Sequence, residues 1–112
     1  MDTQKSDLLQ GTLDVLILKI VALEPIHGYG IAQRIRQISK AVLQVQQGSL
    51  YPALHRLERA KWITAEWKKS ENQQNLKVYR LTAAGKKQLL SERSRWEQLV
   101  HAIGGILGHE QS

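Results

Sequence analysis

The sequence predicts a small, mainly α-helical domain that carries a two-stranded β-hairpin and ends in one long helix. Three observations predict it. Apolar residues recur at helical spacing over three segments, the pattern then alternates over two short segments, and helical spacing returns up to residue 107. With 112 residues, 42% of them apolar and 23% charged, the chain suits one globular domain.

Residues 8–23 are predicted to form the first helix. Leu9 and Leu13 begin an apolar stripe, and Leu18 and Leu23 widen it until the helix is apolar nearly all round. Such a helix needs cover on two sides, and in so small a domain a second subunit can provide part of it. Pro25 ends the helix, because proline disfavours helical geometry in the residue before it.

The next two helices are predicted to form a helix-turn-helix. One spans residues 29–39, and the other begins near Gly48, with Ser49 as its N-cap and Pro52 in its first turn. The inner stripe of this third helix is Leu50, Ala53, Leu54 and Leu57. Its opposite face is small, polar and basic, and comprises Pro52, His55, Arg56 and Arg59, with Ser49 and Tyr51 at the N-terminal end. This composition is typical of a face that reads DNA.

After Lys61 the helical pattern gives way to alternation, which predicts a wing. One strand spans residues 62–67, with Ile63, Ala65 and Trp67 on one side, and the other spans 77–81. The polar segment 68–76 is expected to form a mobile hairpin tip. Trp62 and Trp67 are interpreted as core and wing packing. Two such strands directly after a helix-turn-helix define the winged helix-turn-helix fold class.

The last helix is predicted to start at Thr82, its N-cap, and to continue to about Leu107. Its apolar residues fall close to heptad spacing and project beyond the three-helix core, so packing against a second copy is expected. The fold class is therefore mainly α, with a small two-stranded wing and with N- and C-terminal dimerisation helices. The predicted interface residues are Leu9, Leu13, Leu89, Trp96, Leu99, Val100 and Ile103.

The charge distribution points to a polyanionic partner. The net charge is +6, and residues 47–81 alone carry seven basic and three acidic residues, a net of +4. The absence of cysteine excludes disulfides and thiolate chemistry. The four histidines show no arrangement with a nucleophile, so neither an enzyme nor an obligatory cofactor is predicted. A polar N-terminus and an apolar run broken by Lys19 predict a cytoplasmic protein without a membrane span.

Four separated motifs resemble those of the PadR family of transcriptional regulators. They are Gly11-Thr12-Leu13, His27-Gly28-Tyr29, Gly48-Ser49-Leu50-Tyr51-Pro52-Ala53-Leu54 and Tyr79-Arg80-Leu81-Thr82-Ala83-Ala84-Gly85. The resemblance implies a homodimer that represses transcription by binding operator DNA. It implies that the third helix enters the major groove and that the hairpin tip touches the flanking backbone or minor groove. It also implies that an effector, where there is one, is small and aromatic or apolar.

The chain is thus expected to divide into a DNA-binding domain, residues 1–81, and a dimerisation helix, residues 82–108. The predicted DNA contacts are Gln47, Ser49, Tyr51, Pro52, His55, Arg56, Lys68, Lys69 and Lys77. The guanidinium group of Arg56 can donate to the two acceptors of guanine, and the side-chain amide of Gln47 can pair with the donor and acceptor of adenine. Arg34, Arg36 and Arg59 are further candidates for phosphate. Two reading helices related by a two-fold axis predict a palindromic operator, with half-sites about one helical turn apart.

Several alternatives stay open at the level of sequence. Tyr51 can instead pack on the second helix, and Lys68 and Lys69 can be ordinary hairpin residues. Trp96 either packs in the dimer or forms a flat pocket for a planar aromatic or hydrophobic effector. No metal is predicted, although His55 and Glu58 stand three apart on one helix. The whole domain could also dock on an acidic protein, or bind DNA without sequence preference.

Overall fold

The computed structural model describes residues 3–108, and their side chains from residue 11 onward. The helices are α1 (Thr3–Leu23), α2 (Gly28–Ile38), α3 (Gln47–Arg59) and α4 (Ala83–Ile106), and the strands are β1 (Ile26–His27), β2 (Ile63–Lys69) and β3 (Asn75–Leu81). The strands form one antiparallel sheet in the order β1-β3-β2. The winged helix-turn-helix fold is confirmed, and β1 adds a third short strand to the two that were predicted.

The hydrophobic core lies where the first three helices meet the base of the wing. The largest fully buried side chains are Ile17, Leu18, Ile31, Leu50, Leu54, Leu57 and Ile63. The predicted inner stripe of α3 is buried throughout, because Ala53 is also inaccessible to solvent. On α2, Ile31 and Ile35 are buried, whereas Ile38 is 60% exposed. Burial of one side of α3 fixes which side remains exposed.

The start of α3 differs from the sequence prediction. The N-cap is Gln46, whose side chain makes no capping hydrogen bond, and the predicted N-cap Ser49 is the third helical residue. Pro52 consequently lies in the second turn, where it cannot donate to the carbonyl of Gly48. Gly48 is exposed, so water can take the place of that missing donor. The proline signal therefore placed the N-cap of α3 three residues too late, at Ser49 instead of Gln46.

The wing is longer and its tip shorter than predicted. The strands run to Lys69 and resume at Asn75, which leaves residues 70–74 as the tip. Ser70 organises the tip, since its backbone N–H donates to Gln74 O and its hydroxyl accepts from the N–H groups of Asn72 and Gln74. The predicted tip, residues 68–76, was therefore two residues too long at each end.

The beginning of α4 is fixed to the base of the wing. Thr82 is the N-cap, as predicted, and its hydroxyl accepts from Gly85 N–H at 2.9 Å while lying 2.8 Å from the carbonyl oxygen of Lys61. A Cβ at Gly85 would lie 2.0 Å from the carbonyl oxygen of Trp62, so only glycine permits this approach. This attachment sets the direction in which α4 leaves the domain.

Candidate nucleic-acid interface

The outward face of α3 is exposed along the whole helix. Its exposed residues are Gln47, Gly48, Ser49, Tyr51, Pro52, His55 and Arg59. Because the opposite side is packed in the core, α3 cannot rotate to hide this face. The predicted contacts Gln47, Ser49, Tyr51, Pro52 and His55 therefore share one accessible surface, and Arg56 is the predicted α3 contact that departs from it.

The prediction that Arg56 points outward is wrong. Its Nη2 donates to Oδ1 of Asp14 on α1 at 2.6 Å, and the two side chains are 33% and 18% exposed. Burial raises the pKa of Asp14, and the hydrogen bond and charge of Arg56 only partly oppose that rise. A guanidinium group reaches far from its own Cα, which helical spacing alone does not show. The sequence signal for this ion pair was Asp14, which is the one carboxylate within the largely apolar segment 8–23.

Tyr51 both packs on α2 and reaches solvent. A Cβ at Gly28 would lie 2.9 Å from the hydroxyl oxygen of Tyr51, so the tyrosine ring occupies the space beside the first residue of α2. The side chain nevertheless remains 41% exposed. Packing on α2 thus holds the ring in place and leaves one side of it accessible.

The three predicted wing lysines lie in different environments. The β2–β3 register puts Lys69 on the same sheet face as Trp67, with Lys68 on the other face. Lys68 Nζ lies 3.4 Å from Glu66 Oε2, and Lys77 Nζ donates to Glu58 Oε1 at 3.2 Å. Within residues 11–108, no ion pair involves Lys69. Lys69 is therefore the wing lysine with its charge least compensated.

The contact between Lys77 and Glu58 joins the wing to α3. Burial lowers the pKa of Lys77, but the hydrogen bond that Lys77 donates to Glu58 and the nearby Tyr79 outweigh burial, so the pKa is raised. Burial raises the pKa of Tyr79, whose ring centre lies 5.6 Å from Lys77 Nζ. Lys77 thus stays positive and Tyr79 neutral at physiological pH. The ion pair fixes the wing relative to α3 and occupies the Glu58 carboxylate.

Two exposed arginines, predicted as further candidates for phosphate, carry a charge that no described acidic side chain compensates. Arg36 and Arg59 form no ion pair with any residue whose side chain is described, whereas Arg34 is bound to Glu24 at 2.7 Å. Arg36 lines a groove beside the start of α3 together with Gln33, Gln37, Gln44 and Gln46. The sequence signal was this cluster of glutamines on both sides of the turn before α3.

The predicted interface residues fall into two groups. Leu89 is 8% exposed and belongs to the core of its own chain, and Leu13 packs against that core. The remaining α4 residues are 37–49% exposed, namely Trp96, Leu99, Val100 and Ile103. The side chain of Leu9 lies outside the described residues. The stripe on α4 is therefore buried near its start and uncovered beyond.

Trp96 lines two neighbouring surface grooves. The first, of about 430 Å³, lies along α4 and also contacts Val100 and His101. The second, of about 170 Å³, lies between α1 and α4 and is bordered by Val15 and Leu99. Trp96 thus presents an apolar ring to both grooves.

Two structural findings bear on other classes of function. Among residues 3–108, no helix combines the length and the apolar character that crossing a membrane requires. Across the same part of the chain, no three histidine, aspartate or glutamate side chains converge in a way that could hold a metal ion.

The helix-turn-helix, the exposed face of α3 and the attached wing define a DNA-binding transcriptional regulator of the winged-helix class. Residues 17–91 match the transcriptional regulator PadR-like family. The chain belongs to this family, as its motifs predicted. Since members of the family regulate transcription, the chain is a regulator and not an enzyme.

Similar proteins cover nearly the whole chain. A transcriptional regulator of Mycobacterium tuberculosis is 32% identical over 93 residues, which are 83% of this chain and 83% of that protein. A PadR-like transcriptional regulator from Bacillus cereus is 28% identical, with a TM-score of 0.76 over 93% of this chain and 99% of that chain. A transcriptional regulator from Clostridium thermocellum is 26% identical, with a TM-score of 0.80 over 88% of this chain and 96% of that chain.

Proposed function

We propose that the chain is a cytoplasmic, homodimeric repressor that binds a palindromic operator and is released by a small planar effector. The observation that carries the proposal is the exposed polar face of α3, beside a wing whose Lys69 forms no ion pair with any described side chain. A major groove about 12 Å wide admits a helix presented in this way. Residues 1–81 act as the DNA-binding domain, and residues 82–108 as the dimerisation helix.

Base reading is assigned to the N-terminal end of α3. Gln47, Ser49 and His55 carry donors and acceptors on the exposed face, and Gln47 matches the donor–acceptor pair of adenine. Tyr51 and Pro52 contribute ring surface beside them. Arg56 would have to leave Asp14 before reaching guanine, so in this proposal it orients α3 instead of reading a base.

Phosphate binding is assigned to cations that no acidic side chain compensates. Arg36, Arg59 and Lys69 meet this condition within the described residues, whereas Lys68 and Lys77 are each bound to a glutamate. Release of counterions from the phosphates gives the sequence-independent part of the affinity. The wing lysines in ion pairs contribute less, because a phosphate must first displace the carboxylate.

The occupant proposed for the uncovered stripe on α4 is a second copy of the chain. Exposed apolar residues continue past the predicted stripe to Ile106 and Leu107, which are 84% and 78% exposed. A contiguous apolar surface of this kind marks an interaction site in a soluble protein. Two copies packed through α4 would present two reading helices to one duplex, as a palindromic operator requires.

The effector site is proposed at Trp96, where the two grooves meet. A planar apolar molecule would stack on the indole and, lying between α1 and α4, would alter how the two copies pack. The expected result is saturable quenching of tryptophan fluorescence together with weaker DNA binding. Absence of saturation with a panel of aromatic compounds, or quenching retained in Trp96→Ala, would remove this part of the proposal.

The experiment that tests the proposed function is selection of bound sequences from random duplex DNA at physiological salt. A repressor should return a palindrome that wins over random DNA by orders of magnitude. A weak compositional bias would instead indicate an architectural DNA binder. Recovery of no DNA would favour a module that docks its basic face on an acidic protein.

A further inference from the structure

A groove of about 510 Å³ separates α3 from the wing, and its walls are largely aromatic. It runs from the start of α2, past the outward face of α3, to the inner face of the hairpin. Its aromatic lining residues are His27, Tyr29, Tyr51, His55, Trp67 and Tyr79. Tyr29 stands at its edge, 59% exposed, with the His27 ring 6.5 Å away in an edge-to-face arrangement.

Trp67 occupies an unusual position in this groove. In the β2–β3 register, Ile63, Ala65 and Trp67 lie on one face of the hairpin, and Ile63 is buried in the core. Trp67 lies on the same face but beyond the edge of the core, and it is 68% exposed. The prediction that Trp67 packs within the wing is therefore wrong, whereas Trp62 does pack against the core. A large aromatic ring on the inner side of a sheet, without protein cover, indicates a contact surface.

The charges around Trp67 favour an anionic occupant. Lys69 follows it on the same face, and Lys77 stands directly opposite it across the hairpin. The Glu58 carboxylate and the Lys77 ammonium group neutralise each other, so Lys69 gives the hairpin face around Trp67 its net positive charge. An apolar ring beside an uncompensated ammonium group suits a polymer that alternates apolar and anionic parts. The sugar–phosphate backbone of DNA alternates in this way.

We infer that this groove receives the DNA strand that passes between α3 and the wing, with Trp67 and Tyr29 packed against deoxyribose. The inference rests on the proposed function, because a winged helix that places α3 in the major groove brings the flanking backbone across the wing. Contacts to sugar and phosphate position a protein without reading sequence. Trp67 therefore adds affinity for any duplex and leaves the preference for the operator unchanged.

The test compares the full chain with its Trp67→Ala and Trp67→Phe variants, using the selected operator duplex and a random duplex. Trp67→Ala should lose about tenfold in affinity for both duplexes, because the indole no longer buries apolar surface against the sugar. The salt dependence should not change, because no charge is lost. Trp67→Phe should recover most of the affinity. Thr64→Ala, on the opposite face of the same strand, is the matched control and should bind as the unaltered chain does.

Quenching of tryptophan fluorescence provides a second, independent measurement. Acrylamide quenching should show an indole that becomes shielded when DNA is added, and this shielding should be absent in Trp67→Phe. If the unaltered chain selects an operator but Trp67→Ala binds each duplex as tightly as the unaltered chain does, the inference fails and the proposed function stands. If the Trp67 indole becomes shielded at high protein concentration without DNA, a second copy covers the groove and the inference fails. If no duplex is bound at all, both fail.

Discussion

Asp14 shows how a single residue can hold α3 in position at a cost in stability. Its carboxylate bonds to Arg56 from a partly buried site on α1, where loss of hydration opposes ionisation. Partly buried ion pairs of this kind contribute little net stability, because desolvation offsets much of the attraction between the charges. What the pair provides is a directional contact that holds α3 against α1.

The raised pKa of Asp14 predicts a pH dependence of stability. Because the pKa in the folded state lies above the ordinary value of 3.8, the folded state holds a proton that the unfolded state has already released. Ionisation of Asp14 therefore lowers the free energy of unfolding as the pH rises from about 3.8 through the folded pKa. Asp14→Asn lacks this loss, so its stability relative to the unaltered chain should increase over that window and then stay constant.

Urea unfolding at fixed protein concentration, repeated between pH 3 and 7, measures this difference. Glu71→Gln removes an exposed carboxylate at the wing tip and controls for the general loss of a negative charge. A relative stability that decreases with pH in the acid range would mean that Arg56 lowers the pKa of Asp14, contrary to this account.

Replacement of Gly48 by alanine should have opposite effects on the free energy of unfolding and on DNA affinity. A Cβ at this position would meet no atom within 4 Å, so Gly48→Ala should fold without strain. The substitution should raise the free energy of unfolding by about 0.4–1 kcal/mol, because alanine has less conformational entropy to lose. Its methyl group, however, would stand on the face assigned to DNA. Operator affinity should fall at least tenfold, as measured by fluorescence anisotropy, and unchanged affinity would place DNA away from this end of α3.

At the scale of elements, the sequence predicted the order and type of every helix and of the hairpin, because each carries its own hydrophobic period. It failed where the outcome depends on a neighbouring element. Trp67 was placed on the correct face of its strand, but whether the core extends that far depends on how the wing sits on α3. Likewise, the spacing on α3 could not show that Arg56 reaches Asp14, which is 42 residues away in sequence.

The alternation of side chains along a strand could have predicted that the wing lysines Lys68 and Lys69 lie in different environments. Lys68 and Lys69 are neighbours in sequence, so they must lie on opposite faces of a strand. The prediction of both as DNA contacts overlooked this alternation, and also the ion pair between Lys68 and Glu66. Only one of the two is thus expected to meet phosphate.

The expected consequence is a difference between two single substitutions in the wing. In a dimer, Lys69→Gln should remove two phosphate contacts and reduce the slope of log affinity against log salt by about two. Lys68→Gln, the matched control on the other face, should leave the slope nearly unchanged. Titrations of one operator duplex at several salt concentrations give both slopes, and equal effects of the two substitutions would contradict the proposed orientation of the wing.

At the scale of the whole molecule, α4 dominates the shape. Its 24 residues correspond to about 36 Å of helix, and the longest extent of the chain is 53 Å. Gly85 and Leu89 are the buried residues of this helix, so only its beginning belongs to the domain core. The rest carries apolar side chains that a single copy leaves in water, which is why the proposed operator recognition depends on assembly.

Ile103→Asp tests that dependence, since Ile103 lies in the uncovered part of the α4 stripe and is 44% exposed. A carboxylate there would lose its hydration on dimerisation. The variant should therefore sediment near 12.7 kDa, and the unaltered chain should sediment at twice that mass. Each copy would then bind one half-site alone, and operator affinity should fall by about a hundredfold or more. Gln98→Asp, an exposed position on α4 outside the stripe, adds the same charge and should preserve both mass and affinity. A dimer that survives Ile103→Asp, or a monomer that binds the palindrome as tightly, would show that α4 does not join the two reading helices.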